Sequence, residues 1–237
     1  WQSTQAYKRH RHPQLSIGAI VEGQTCCVSF DREYILSPGD LIVIPACAPH
    51  SCNPVGGQPR SYHMLYIDTE LPLALQVIRS PDLFAHYLDV VETLSPASVE
   101  ILLSALPHGA DSADALRATS QQVQEAFLSD LTCPPSLDEL AQRFSLRKET
   151  LIRTFRQDTG LTPGSFLNIS RVEYAKVRLR AGDDIADVGY QSGFADQRQY
   201  HRACVSYTAA TPGQYATGRS ISDNKWVLQR RTLTSDC

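Results

Sequence analysis

"SLRKETLIRTFRQDTGLTPGSF" (residues 145–166) and "GFADQRQYHRACVSYTAATPGQY" (residues 193–215) end alike, in Thr-Pro-Gly-x-aromatic. The likeness extends upstream. Leu137, Leu140, Ala141 and Leu146 correspond to Ile185, Val188, Gly189 and Phe194. Leu151, Arg153, Phe155, Pro163 and Phe166 correspond to Tyr200, Arg202, Cys204, Pro212 and Tyr215. The offset grows from 48 to 49 between the two sets, so the second copy carries one more residue between its helices. Each copy reads as a short helix, a turn and a second helix, with Ser136 and Asp184 as N-caps of the first helices. That is the layout of a helix-turn-helix, whose second helix enters the major groove of duplex DNA.

The second helices have two faces. In the first copy Leu151, Ile152 and Phe155 form an apolar stripe, and Arg147, Glu149, Thr150 and Arg153 fall on the other side. In the second copy Tyr200 and Cys204 face inward with Ala203 close by. Gln197, Arg198, His201 and Arg202 project outward, and Gln199 lies near the edge. Arg pairs bidentately with guanine and Gln with adenine, so these residue types suit base-edge reading. A solvated polar face explains one such helix; it explains two copies of the same inside-outside pattern poorly. Residues 162–182 between the copies read as one long helix ending at Gly182. About 18 residues at 1.5 Å rise span roughly 27 Å. With the flanking units added, the two groove-reading helices come about one DNA turn apart, roughly 34 Å. Arg171, Lys176, Arg178 and Arg180 on this linker helix suit phosphate contact or plain solvation alike.

The rest of the chain differs in period. Residues 1–68 read as short strands with turn punctuation: "LSIGAIVEG", "QTCCVSF", "DREYIL", "LIVIP" after "SPGD", and "SYHMLYID". Such spacing suggests a β-sandwich or barrel. Helical spacing takes over in "SPDLFAHYLDVVETL" and "SPASVEILLSAL", each opened by Ser-Pro as N-cap and first helical residue. These two helices either form a dimer face or pack on their own sheet. "PHGADSAD" (107–114) reads as a linker.

Composition agrees with two domains. The chain has 237 residues, with 42% hydrophobic and 20% charged content, ordinary for a soluble protein. Residues 1–114 carry 6 Lys+Arg against 12 Asp+Glu, and residues 115–237 carry 16 against 13. The positive excess in the second half fits nucleic acid as its partner. No apolar run is long enough to span a membrane, and no signal segment is visible, so a cytoplasmic location is expected. Seven cysteines without a C-x-x-C pair suit free thiols in a reducing compartment.

The segments "SLDELAQRFSLRKETLIRTFRQDTGLTPGSFLNISRVEYAKVRL" and "IADVGYQSGFADQRQYHRACVSYTAATPGQY" resemble the AraC family of bacterial transcription regulators. Cys204 stands where the family usually has Phe, and Gly189 where it usually has Ala. Both remove apolar volume, so the second unit is expected to be the less stable. The N-terminal half, through "HRH" (10–12) and "PGDLIVIPACAPHSCN" (38–53), resembles the cupin-type sensing domains of this family. The expected architecture is therefore multi-domain α+β: an N-terminal cupin-like β-barrel with flanking helices, then an all-α domain of two helix-turn-helix units joined by a long helix. Residues 1–110 would form the effector-binding and dimerisation domain, with helices at about 80–106. Residues 115–218 would bind DNA, and 219–237 would be a tail.

In a strand, residues i and i+2 share a face, so His10 and His12 point the same way. His50 follows the "LIVIP" strand, where cupins usually place another ligand. Three imidazoles suit a divalent transition metal such as zinc, nickel, iron or copper. The Glu that cupins commonly place a few residues after H-x-H is missing here. The same histidines equally suit the lining of an organic effector pocket, or ordinary packing, so no cofactor is certain. The resemblance implies double-stranded DNA as partner, a small-molecule effector or metal ion, a homodimer, activation of transcription and RNA polymerase as a further candidate partner. It implies no catalysis. The rivals are a metal-dependent cupin enzyme (a dioxygenase or isomerase) with a helical appendage, and a regulator that senses the metal itself.

Overall fold

The computed structural model describes residues 4–107, 117–217 and 224–228. The linker expected at 107–114 lies, apart from Pro107, outside the described residues. The N-terminal strands are β1 (Leu15–Glu22), β2 (Thr25–Ser29), β3 (Arg32–Leu36), β4 (Leu41–Ile44), β5 (His50–Pro54), β6 (Ser61–Ile67) and β7 (Gln76–Ile78). Within the segment expected only as a C-terminal tail, β8 (Asn224–Leu228) pairs in parallel with β6. The strands form two sheets, ordered β7-β4-β1-β6-β8 and β3-β2-β5. The cupin-like β domain takes the form of two facing sheets, and no pairing among the described residues closes them into a barrel.

Strand β1 is buried along both faces, which accounts for its nearly unbroken apolar run. Its Leu15, Ile17 and Ala19 face a core shared with two helices, α1 (Pro81–Thr93) and α2 (Pro96–Ala105). Its Ile20 faces the second sheet, in a core with Ile42, Ile44, Cys27, Leu36 and Cys52. Ser80 caps α1 as expected, accepting from the Leu83 amide at 3.3 Å, and Pro81 occupies the first helical position. Tyr87 of α1 donates its hydroxyl to the Ile17 carbonyl at 2.8 Å. Tyr87, Val90, Val91, Val99, Leu102 and Leu103 pack on this domain's own sheet, while Ile101 remains 58% exposed.

The C-terminal half is helical: α3 (Ala118–Ser129), α4 (Leu137–Arg143), α5 (Lys148–Thr159), α6 (Pro163–Arg180), α7 (Ile185–Gln191), α8 (Gln197–Thr208) and α9 (Pro212–Ala216). Ser136 forms a capping box with Glu139, and Asp184 accepts from the Ala186 and Asp187 amides. The turn between α4 and α5 passes through left-handed Ser145 (φ 53°); the longer turn between α7 and α8 does so at Gly193 (φ 81°). Helix α6 is divided between two cores. Phe166 packs with Val123, Phe127, Leu140, Leu151 and Phe155 of the first unit. Ile169, Val172, Ala175 and Leu179 pack with Val188, Phe194, Tyr200 and Cys204 of the second. Among the described residues no helix is long and apolar enough to cross a membrane.

Gly189 corrects one expectation. It leaves no void, because a Cβ there would lie 2.8 Å from Cδ1 of Tyr200, which is fully buried. Alanine in a helix gains about 1 kcal/mol over glycine, but overpacking a closed core costs about 1–3 kcal/mol. Gly189→Ala should therefore lower the thermal midpoint of the chain. The same change in a Tyr200→Leu background should cost less than half as much, as read in a double-mutant cycle of denaturation curves.

Candidate functional site

Two surfaces carry the candidate functional residues. On α5, Leu151 and Phe155 are buried and Ile152 is half-buried, while Glu149, Arg153 and the N-cap residue Arg147 are exposed and Thr150 half-exposed. On α8, Tyr200 and Cys204 are buried, while Gln197, Arg198, His201 and Arg202 are exposed. Gln199 is half-buried and engaged locally. Its Oε1 accepts from the Ala195 amide at 2.8 Å, and its own amide donates to Asp196 at 2.6 Å. The cations of α6 are partly used within the fold. Arg171 donates to the Leu131 carbonyl at 2.9 Å, Lys176 pairs with Glu173 at 2.7 Å, and Arg178 pairs with Asp183. Arg180 is exposed.

The second surface is a narrow cleft at the mouth between the two sheets. His10 and His50 line it with Tyr7, Cys52, Tyr62, Met64 and Tyr66, and Tyr207 and Thr208 of α8 close it. Its cavity volume is about 10 Å³, the room of one water. His10 and His50 are joined by an antiparallel bridge whose two N–H···O bonds are each 2.8 Å. His12 is 5% exposed and His50 3%. The three rings converge, with centroids 4.6, 4.9 and 6.1 Å apart, and one ligand nitrogen from each lies within 4.8 Å of the others.

Each ring has its tautomer set by a backbone carbonyl. Nδ1 lies 3.0 Å from the Lys8 oxygen in His10, 2.9 Å from the Gln14 oxygen in His12 and 2.9 Å from the Ala48 oxygen in His50. A carbonyl only accepts, so each Nδ1 carries the proton and each neutral ring presents Nε2 as its lone-pair nitrogen. Burial, followed by the neighbouring His50 and His10, holds His12 well below the ordinary histidine range, which favours that neutral form. Three neutral imidazoles in this state can hold a borderline metal ion or accept hydrogen bonds from a ligand.

The segment bearing His10 and His12 also touches the helical half. The Lys8 amide donates to the Ser206 carbonyl at 2.9 Å. Arg9 donates to the Phe30 carbonyl at 3.0 Å and to the Gly160 carbonyl at 3.4 Å. Arg11 lies over the Phe166 ring, 4.1 Å from its centroid. A Cβ on Gly160 would lie 2.6 Å from Pro49 Cγ, so the two halves meet closely there. Sequence reasoning found the three histidines but missed Arg11, Tyr7, Tyr207 and Thr208. Alternation along "YKRHRH" was the available signal for Arg11: if His10 and His12 face one side, Arg9 and Arg11 face the other. It also missed Arg60, a buried cation that donates to the Cys52 carbonyl at 2.8 Å and lies 4.3 Å from the Tyr62 ring centroid.

Comparison with known proteins bears on both surfaces. Residues 2–131 match the model of the AraC-like ligand binding domain, and residues 140–218 match that of a helix-turn-helix domain. The chain is 26% identical over 231 residues to the uncharacterized HTH-type transcriptional regulator YbfI of Bacillus subtilis (strain 168), covering 81% of each chain. It is 34% identical over 88 residues to the HTH-type transcriptional activator RhaS of Escherichia fergusonii, covering 37% of this chain and 32% of that one. The fold is similar to that of ToxT from Vibrio cholerae O395, with a TM-score of 0.56 at 14% identity over 90% of this chain and 92% of that one. With a ligand-binding domain and a helix-turn-helix DNA-binding domain in this order, the chain belongs to the AraC family of transcription regulators.

Proposed function

We propose that this regulator is a cytoplasmic transcriptional activator, working as a homodimer and contacting RNA polymerase, whose DNA binding is set by what occupies the cleft between the sheets. The observation that carries this reading is the double use of α8. Its exposed face offers Gln197, Arg198, His201 and Arg202 to DNA, and its C-terminal end supplies Tyr207 and Thr208 to the cleft. An occupant that prefers one placement of α8 shifts the population toward it, by no more than its difference in affinity for the two placements. Activation is supported by the likeness to the HTH-type transcriptional activator RhaS. The dimer is supported by the side-by-side helices α1 and α2 with Ile101 exposed. A cupin enzyme is not favoured, since the matched models are those of a ligand-binding and a DNA-binding domain.

Arg153→Ala and Arg202→Ala should each weaken binding to a site selected from random duplexes by about 1–3 kcal/mol, with a smaller loss on unselected DNA. Fluorescence anisotropy on both duplexes checks this; equal losses would reduce both residues to phosphate contacts. Binding should also fall steeply as salt rises. A titration insensitive to salt would count against the DNA-reading surface as a whole.

A further inference from the structure

Cys27 and Cys52 stand directly opposite each other on β2 and β5, and their sulfurs are 2.8 Å apart. Neither is bridged. The Val55 amide donates to the Gln24 carbonyl at 3.1 Å, which makes Gln24 and Val55 a hydrogen-bonded pair. Hydrogen-bonded and non-hydrogen-bonded pairs alternate along an antiparallel ladder. Three steps on, Cys27 and Cys52 are a non-hydrogen-bonded pair, the closer kind, with Cα atoms about 4.5 Å apart. A disulfide spans Cα separations of about 4.4–6.8 Å, so the ladder can take the bond without parting its strands.

The two sulfurs differ in access. Cys52 lines the cleft and is 5% exposed, whereas Cys27 is 0% exposed. Its contact with Cys52, then its burial, push the Cys27 thiol well above the ordinary range, which makes it a poor first nucleophile. Arg60 is buried beside the pair. Its hydrogen-bond acceptors are all neutral: the Cys52 carbonyl at 2.8 Å, Thr25 Oγ1 at 3.2 Å and the Tyr7 hydroxyl at 3.5 Å. A cation without a carboxylate partner favours negative charge building on a neighbouring sulfur. The cleft, with a cavity of about 10 Å³, admits a reagent on the scale of water and excludes one the size of a peptide.

We infer that Cys52 and Cys27 form an oxidation-sensitive dithiol that is reached by hydrogen peroxide through the cleft and changes DNA binding when it closes to a disulfide. This rests on the regulator reading and adds a second control over its cleft. In the first step the Cys52 sulfur attacks one peroxide oxygen and the O–O bond breaks. The departing hydroxide takes the thiol proton and leaves as water, and Cys52 becomes a sulfenic acid. The Cys27 sulfur then attacks the Cys52 sulfur, the S–O bond breaks, and hydroxide leaves with the Cys27 proton as a second water. The two thiols together lose two electrons, and one peroxide is reduced to two waters. A dithiol reductant reverses the bond by exchange. Disulfides in a reducing compartment are usually of this transient, sensing kind. Cys52 shares the cleft wall with Tyr207 and Thr208 of α8. Drawing its sulfur toward β2 alters the surface that meets the DNA-reading helix.

The test uses the full chain with Cys26→Ser and Cys47→Ser, so that each tryptic peptide concerned holds one thiol. The folded protein is treated with hydrogen peroxide or, separately, with oxidised glutathione, then alkylated, digested and mapped by mass spectrometry. Peroxide should join Cys27 to Cys52 in most chains, and a dithiol should release them. Oxidised glutathione should leave the pair reduced over the same time. In Cys27→Ala, peroxide should stop at a Cys52 sulfenic acid that dimedone traps; in Cys52→Ala, Cys27 should stay unmodified. A pair that stays reduced, that glutathione disulfide closes as fast as peroxide does, or whose Cys27 reacts equally well without Cys52 would overturn the site. DNA affinity is then compared between the reduced and the mapped, oxidised protein. A change of about 5–150-fold is expected, and none in Cys27→Ala. An unchanged affinity in protein that carries the disulfide, or the same change in Cys27→Ala, would overturn the control of DNA binding. Failure to bind DNA in either state would instead count against the regulator reading, which the peptide map does not touch.

Discussion

The strap from Tyr7 to His12 is bonded to both halves of the molecule, and the placement of the functional surfaces depends on it. On the sensor side it pairs with β5 through His10 and His50, and Tyr7 exchanges hydrogen bonds with Asn53. On the other side it meets Ser206, Gly160 and Phe166. Phe166 is itself the residue through which α6 enters the first helix-turn-helix core. A displacement of the strap therefore acts on a core side chain that positions a DNA-reading unit, as well as on a surface contact.

The two helix-turn-helix units are unequal partners in this arrangement. Most of the buried face of α6 belongs to the second unit, with Phe166 and Leu167 near its start serving the first. The second unit also supplies Tyr207 and Thr208 to the cleft. The residues that depart from the family pattern lie in this same unit. Gly189 is matched to the bulk of Tyr200, so that departure is a local repacking, and the loss of a methyl on one helix makes room for a ring on the next.

Much of this was legible in the sequence, for identifiable reasons. The capped, amphipathic helices announced themselves through Ser80-Pro81, Ser136 and Asp184, because capping chemistry is local. The outward and inward faces of α5 and α8 followed from helical periodicity, because each helix buries one face only. The convergence of the histidines was half legible: alternation joins His10 to His12, but bringing in His50 needs the strand pairing. Strand β7 is three residues long and shows no period, and the parallel pairing of β8 with β6 joins chain segments far apart in sequence. The seam between the halves was illegible because alternation gives the face of Arg11 but not its partner: Arg11 on Phe166 and Pro49 against Gly160 are contacts of high sequence separation.

The strength of the seam bears on whether it can act as a switch. An arginine over an aromatic ring is worth about 0.5–2 kcal/mol, and a hydrogen bond such as that from Lys8 to Ser206 about 0.5–1.5 kcal/mol net. Coupling between sites in regulated proteins is typically about 1–3 kcal/mol. The strap's contacts with the helical half are thus of the size of a typical coupling between sites. An extensive apolar interface would resist an occupant of the cleft, and a single weak contact would transmit nothing. A short polar strap that pairs with β5 through His10 and His50, and reaches the helical half through Lys8, Arg9 and Arg11, lies between these limits.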